Sequence, residues 1–369
     1  MVWSRLFSFK VIFSILVIVL IIGGCSKDDP AGPSGTWRWS AVGSGTNDNI
    51  HALAEYDGKL IVGGSFTNAG GITATGIASW DGTNWLALGA GLSDAALAFT
   101  VYDGKLIVGG YFTSAGSVSA NHIAAWDGTE WTTFGTGMNN RVFALTVYNN
   151  KLIAGGMFTS AGGVPANFVA AWDGTTWSAL GSGLNERVDA LIVYDGNLIA
   201  GGLFDQAGGS EAKQIAVWNR TEWSSLGTGI TDGSYPWVFD LKYYNGKLIV
   251  AGQFTHAGGK NALNITSFDS LAIAWDSLGT GINGTIKSLA LFDNKLVAGG
   301  LFTTAGDETV NNIASWNGSS WSSLGTGIDR GDFGSVKALA VYNNKLYVGG
   351  DFIGADTLEV NNIACWSLE

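Results

Sequence analysis

The residues able to do chemistry are few and scattered. The only histidines, His51, His122 and His256, fall in three different stretches of chain and share no ligand spacing. Protein metal sites use such groups at short, repeated intervals, so neither a metal nor any other cofactor is expected. Of the two cysteines, Cys365 stands where other copies of a repeat carry Ser79, Ala125, Ala171, Val217, Ser267 and Ser315. That is the position of a small packed residue, not of a nucleophile. Glu186, Asp189, Asp307 and Glu308 are acidic candidates by expected exposure, but glycoside hydrolysis needs a placed pair of carboxyl groups and the spacing specifies none. A stronger candidate is a recognition set: Arg141, Phe143, Arg187, Asp189, Trp237, Phe239, Lys287 and Lys337. Arginine and aromatic side chains commonly carry binding energy, and the eight fall on two positions of a repeat.

That repeat must position them. The phrase Lys-Leu-Ile-Val-Gly-Gly-x-Phe-Thr recurs around Phe66, Phe112, Phe158, Phe204, Phe254, Phe302 and Phe352. A second series, Trp39, Trp85, Trp131, Trp177, Trp223, Trp275 and Trp321, advances by 46 residues, or once by 52. Each unit reads as four short strands, for example 142–148, 151–154, 168–172 and 177–180. Runs of apolar and β-branched residues bounded by Gly, Asn and Asp are strands buried on both faces. Pairs such as Asp57-Gly58 and Asn149-Asn150, and again Asp81-Gly82 and Asp127-Gly128, tolerate positive φ and predict tight type I′ hairpins. The outermost strand appears alone at Trp39-Ser40-Ala41-Val42-Gly43, and its counterpart is missing after Trp366. A linear stack has no reason to be cut this way. The expectation is an all-β, seven-bladed β-propeller over 36–369, with four-stranded blades and the N-terminal strand completing the last blade.

Seven residues before the Tyr or Phe that ends each inner strand stand Asn49, Ala95, Arg141, Arg187, Trp237, Thr285 and Ser335. Five before it stand His51, Leu97, Phe143, Asp189, Phe239, Lys287 and Lys337. The units otherwise nearly copy one another, yet these positions differ in charge, size and aromaticity. Inner strands line a propeller's axis, so these residues are expected to converge on its mouth as a basic and aromatic rim. Connections between blades are short at Gly89–Ala95 but longer at Gly227–Pro236 and Gly325–Ser335, and the loops between second and third strands also diverge in sequence. Variable loops on a regular framework are where binding functions concentrate.

The N-terminus carries a separate message. Arg5 and Lys10 precede an apolar run from Val11 to Ile22 that ends in Gly23-Gly24-Cys25. At about a dozen residues the run is short for a transmembrane span, and small residues before its end mark a signal peptide over 1–24. Gly23-Gly24-Cys25 resembles the lipobox of bacterial lipoproteins, which implies acylation of Cys25, membrane attachment through that lipid and a polar tether over 25–35. Ser26 after the cysteine resembles cargo sent to an outer membrane, and Ser-Lys-Asp-Asp is similar to the tethers of surface-exposed lipoproteins in the Bacteroidetes. The net charge of −11 lacks the basic footprint of a nucleic-acid binder, so no nucleic-acid partner is expected. With Cys25 acylated, Cys365 has no partner for a disulfide.

A glycine doublet, a late aromatic and a tryptophan, as in Gly63-Gly64, Trp80 and Trp85, follow in that order across the seven units, with Ala251-Gly252 and Phe268 in one exceptional copy, and resemble the kelch repeat. Kelch usually has tyrosine at the place of Trp80. The longer phrase Gly-Gly-x-Phe-Thr-x-Ala-Gly-Gly … Ile-Ala-x-Trp-Asp-Gly resembles bacterial surface repeats and is similar to the propeller of the fungal cortical polarity-marker family. These resemblances imply a propeller used for binding or surface organisation and carry over no catalytic residue. Ser79–Trp85 resembles the sialidase Asp box only superficially, since Asp81 and Gly82 lack the spacer. The function expected is non-catalytic binding or scaffolding of a protein or glycan. A carbohydrate-active enzyme (glycosidase or lyase type) on the same face and a purely structural envelope component are the alternatives, and the oligomeric state is left open.

Overall fold

Every repeat folds into antiparallel strands in chain order, because its apolar runs are too short for anything but strands and each is followed by turn residues. In the computed structural model, which describes residues 35–231, 235–329 and 334–369, one unit pairs Val142–Tyr148 with Lys151–Gly156, then Val169–Trp172, then Trp177–Ala179. The second strand is buried along nearly its whole length, as in Leu152–Gly156, which explains its unbroken apolar sequence. The fold is all-β and propeller-type, with no helix among the described residues. Those residues contain seven four-stranded sheets, and Trp37–Glu369 form one compact unit. The expected leader, Cys25 and almost all of the expected tether lie outside the described residues.

The sheet holding the chain's end has the order Trp37–Ala41, Ile363–Leu368, Lys345–Asp351, Ser335–Tyr342. Trp39 lies opposite Trp366 and Ser40 opposite Cys365. Cys365 is thus buried between strands, and burial raises its thiol pKa, as suits a packed residue.

Neighbouring sheets are joined by two recurring bonds. The indole Nε1 of Trp131 donates to the Leu88 carbonyl at 3.2 Å, and that of Trp177 to Phe134 at 3.1 Å. At the other side of the sheets, the Tyr56 hydroxyl donates to Gly104 at 3.1 Å and that of Tyr148 to Gly196 at 3.3 Å. Between these bonds lie apolar layers. In one, Phe158, Leu152 and Val142 pack with Ile107 and Ala125 of the preceding unit. The exceptional unit substitutes Phe268 for tryptophan in its third strand, and its Trp275 Nε1 is buried without a hydrogen-bond partner.

The two kinds of Asp-Gly turn differ. At Asp57-Gly58 both residues have positive φ (50° and 64°) and two residues connect Tyr56 to Lys59, as the type I′ expectation requires. Between Trp80 and Trp85 the loop has four residues, and only Gly82 has positive φ (102°). Here the expectation fails, because the Asp81 carboxylate caps the loop itself, accepting the amides of Thr83 at 2.8 Å and Asn84 at 2.7 Å. Asp127 repeats this, and its backbone bonds hold the carboxyl down at about 2. These aspartates are turn caps.

Candidate functional site

The rim is made by a β-bulge repeated in each unit. Pairing of the first two strands skips one residue, between Ile50 and Ala52, Val142 and Ala144, Val188 and Ala190, and at the equivalent places elsewhere. The skipped residues are His51, Leu97, Phe143, Asp189, Phe239, Lys287 and Lys337. A bulge leaves one residue out of the ladder and re-aims its side chain. This accounts for the chemical freedom of the set, since a residue outside the ladder can vary without disturbing the pairing.

The glycine doublet is the other half of the device. A Cβ on Gly156 would overlap the Arg141 carbonyl oxygen, and one on Gly202 or Gly252 would do the same to Arg187 or Trp237. That carbonyl accepts the amide after the doublet, as Arg141 does from Met157 at 3.0 Å. The doublet's first glycine instead faces the next unit: a Cβ on Gly155 would meet the Val188 side chain. The recurrent second glycine was the available signal for the bulge, and the sequence reading passed over it.

Six of the seven bulged side chains line an axial cavity of about 220 Å³: His51, Leu97, Phe143, Asp189, Lys287 and Lys337. Phe239 supports it from behind, its ring 3.2 Å from the Lys287 Nζ and 4.4 Å from the Trp237 ring. Arg187 forms an ion pair with Asp189, and the Trp237 indole donates to the same carboxylate at 2.7 Å. The guanidinium also lies 3.7 Å from the Phe143 ring centroid and 4.8 Å from that of Trp237. Arg141 stands outside this group. It is exposed and rests 4.3 Å over Tyr111, so it extends the rim outward and does not line the cavity.

Within the expected rim, three side chains are tied to one another. Arg187, Asp189 and Trp237 are committed to one another, because a carboxylate buried there needs its charge and hydrogen-bonding capacity satisfied. Burial pushes the Asp189 carboxyl above its ordinary range, against the opposing pull of Arg187 and Trp237. Burial also lowers Lys287 to about 8, with Asp189 acting the other way. Lys337 is lowered by burial and lies 3.9 Å from Asp351. Burial and the nearby Lys337 take His51 down to about 4, leaving it neutral beside the Ser65 hydroxyl at 2.9 Å.

Sequence reasoning missed Asp240 and Ser288. Both follow a bulge, where the other units carry Ala52, Ala98, Ala144, Ala190 and Ala338. Asp240 accepts the amide of Leu241 and, from the next sheet, that of Leu289, each at 2.7 Å. The Ser288 hydroxyl accepts the Leu339 amide at 3.1 Å. Burial raises the Asp240 carboxyl.

The diverging loops between second and third strands also turn out alike in backbone. Each folds as a two-stranded hairpin, such as Ser160–Ala161 with Val164–Pro165 and Thr304–Ala305 with Glu308–Thr309. Each is bridged to the preceding inter-sheet connection, as at Met138 with Ala161 and Ile282 with Ala305. Among the described residues, no three or more His, Cys, Asp or Glu are grouped to hold a metal, and no helix is long and apolar enough to cross a membrane.

Repeated four-stranded sheets, tied by tryptophan and tyrosine bonds around a bulge-lined axis, define a β-propeller domain. Residues 93–234 and 238–330 match the Rax2 C-terminal beta propeller domain, and the protein belongs to that family. Residues 57–78 also match a beta-propeller domain of unknown function, DUF5122. The propeller resemblance read from the repeats is borne out. No curated protein matches the chain.

Among solved structures, the chain is similar to the WD40 beta propeller domain of Doa1, at a TM-score of 0.58 and 14% identity over 90% of this chain and 97% of that one. It is also similar to the extracellular domain of the putative one component system BT4673 from B. thetaiotaomicron, at 0.60 and 12% over 89% of this chain. A second structure of a BT4673 extracellular domain, there titled a putative hybrid two component system, gives 0.59 and 11% over 89%. The chain spans 40% and 39% of those two longer proteins. At these identities the likeness is one of fold.

Proposed function

We propose that the seven sheets close into a seven-bladed ring over 36–369, carried by an outer-membrane lipoprotein on acylated Cys25, and that its bulge-bearing face binds a protein or glycan without catalysis. The leader over 1–24 and the tether over 25–35 support the envelope location, as do the extracellular domains among the structures of like fold. The observation carrying the binding role is the contrast at the bulges. Where the backbone repeats, the bulged residues are a histidine, a leucine, an aspartate, two phenylalanines and two lysines: His51, Leu97, Asp189, Phe143, Phe239, Lys287 and Lys337. The framework positions repeat one residue, as the buried Phe66, Phe112 and Phe158 do, whereas the bulged set gathers charge and aromaticity that the pairing does not require, the side chains that carry recognition energy.

The test is a glycan and protein array probed with the full-length protein. Binding without turnover, lost when Arg141 and Lys337 are replaced together, supports the reading. Release of product from a bound glycan would replace it with an enzyme. Absence of any ligand, together with a stable envelope complex after crosslinking, would replace it with a structural component. Cys25→Ser should abolish acyl incorporation and membrane retention; unchanged retention would remove the lipoprotein part alone.

A further inference from the structure

The axial cavity contains a built-in example of what it can bind. The Asp240 carboxylate bridges the amides of Leu241 and Leu289, and the Ser288 hydroxyl takes the amide of Leu339. These amides follow the bulges on the innermost strands, on the side turned away from the sheet. The register repeats at Leu53, Phe99, Leu145 and Leu191, which pair with Val62, Val108, Ala154 and Ala200. Their amides therefore face the axis as well, but they stand beside alanines, which offer no acceptor. Leu53, Phe99 and Leu191 are half-buried and Leu145 is buried, so their amides are donors open to the cavity, which ligand oxygens can take up in place of water.

Charge points the same way. Among the described residues Lys287 makes no ion pair, its ammonium meeting only the rings of Phe239 and Trp237. The charged groups around it are Asp189, Arg187 and Lys337; Asp189 is already engaged by Arg187 and Trp237. Lys337 in turn faces Asp351 and Asp48, and His51 is neutral. This leaves one half-buried ammonium whose carboxylate neighbour, Asp189, is committed to Arg187 and Trp237, in a cavity wall that also carries the leucine and phenylalanine positions above.

We propose that the cavity seats a carboxylate carried on a group the size of one sugar ring, the chemistry of a uronic acid residue, with Lys287 as its charged partner and the axial amides as its hydrogen-bond donors. The proposal rests on the binding role above and specifies its ligand class. A volume of about 220 Å³ lies below the roughly 300–1,000 Å³ of pockets for drug-sized ligands, which fits a single ring. The carboxylates of Asp189 and Asp240 in the same wall oppose a dianion such as a phosphate ester. A uronic acid offers hydroxyl and carboxylate oxygens in one ring, matching several separated amides. A peptide terminus brings two oxygens at one point.

Calorimetric titration of the full-length protein with galacturonate, galactose and acetyl-Gly-Gly separates these cases. Galacturonate should bind at least tenfold more tightly than either of the others. Its affinity should fall between about pH 7 and 9, because Lys287 loses its proton near 8. Lys287→Met should cost tenfold or more and remove that pH dependence. Ala144→Asp should block binding by supplying Leu145 and Leu191 with an internal carboxylate, and its melting temperature verifies that the fold is kept; Lys287→Gln serves as a second loss-of-charge variant. Equal affinity for galactose, preference for the peptide, or no effect of both Lys287 variants would overturn the proposal. If galacturonate fails while an array ligand still binds, the carboxylate seat is wrong and the binding role stands; if both fail, the role falls too.

Discussion

The Tyr342 hydroxyl donates to the Gly58 carbonyl at 2.9 Å, joining residues 284 positions apart. Elsewhere the same tyrosine bond links a sheet to its successor, as from Tyr56 to Gly104 and from Tyr148 to Gly196. The tryptophan bond runs through the same joint: Trp39 donates to the Leu324 carbonyl beside the preceding sheet at 3.1 Å, and Trp85 of the first sheet donates at 3.2 Å to Val42, which follows Trp37–Ala41 of the last. Ile50 and Leu60 near the chain's start share an apolar layer with Ala338, Tyr342 and Ile363 near its end. Both inter-sheet devices are therefore present between the chain's ends.

If these contacts close a ring, Trp39 is no more peripheral than a mid-chain tryptophan. Trp39→Ala should cost about 3–5 kcal/mol, the usual range for truncating a buried tryptophan, and match Trp131→Ala within error. Deleting 36–45 should cost more, because four-stranded pairing with Ile363–Leu368 goes as well. Chemical denaturation of the three variants measures this. A Trp39→Ala variant of near wild-type stability would mean that the first strand does not hold the last sheet.

The doublet glycines supply a second, sharper comparison. A Cβ on Gly156 meets a backbone carbonyl, that of Arg141, whereas one on Gly155 meets the movable side chain of Val188. The protein itself carries Ala251 at the first position in one unit. Gly156→Ala should therefore destabilise by about 1–3 kcal/mol, as overpacking does, with Gly155→Ala the milder of the two. Equal losses, or the reverse order, would show that the bulge does not require the second glycine.

The repeat made the strands and their sheets legible because strand length, apolarity and turn residues all repeat with it. The bulge was not legible as such, since a one-residue slip alters no residue type; its backbone left a trace in Gly64, Gly156 and their equivalents. The positions counted back from Tyr56 or Tyr148 did find the bulged residues, through their divergence. What each one does was hidden, because partners such as Arg187 and Trp237 come from neighbouring units and meet only in three dimensions. Asp240 was overlooked for the same reason: its second amide belongs to Leu289 in the next sheet.

Arg187 illustrates the consequence. Read from the sequence, it is one of the basic residues of the expected rim. In the structure it is the charge partner of a carboxylate that is only 6% exposed. Arg187→Met should destabilise by about 3–5 kcal/mol at pH 7, the usual outcome of orphaning one member of a buried pair. Burial already raises Asp189, and loss of the guanidinium removes an opposing influence. A carboxyl whose folded pKa lies above its unfolded value favours the fold most when protonated. The penalty of the variant should therefore shrink as pH falls from 7 toward 4. A penalty independent of pH would assign it to lost packing over Phe143 and not to the unpaired charge.

His51 gives the opposite sign at the same rim. Its pKa is lowered from 6.5 to about 4 by burial and by Lys337, while Asp48 and Asp351 pull the other way. The unfolded chain therefore binds a proton near pH 6.5 that the folded chain refuses until about pH 4. The stability this neutral imidazole contributes is complete above 6.5 and is lost as pH falls from 6.5 to about 4. His51→Gln keeps a hydrogen-bonding group beside Ser65 and cannot titrate. Its unfolding free energy should decline less than that of the wild type across this window, and NMR of the imidazole should place the folded pKa well under 6. Parallel decline in the two proteins, or an imidazole titrating near 6.5, would show that His51 stands in open solvent and not in the wall of the axial cavity.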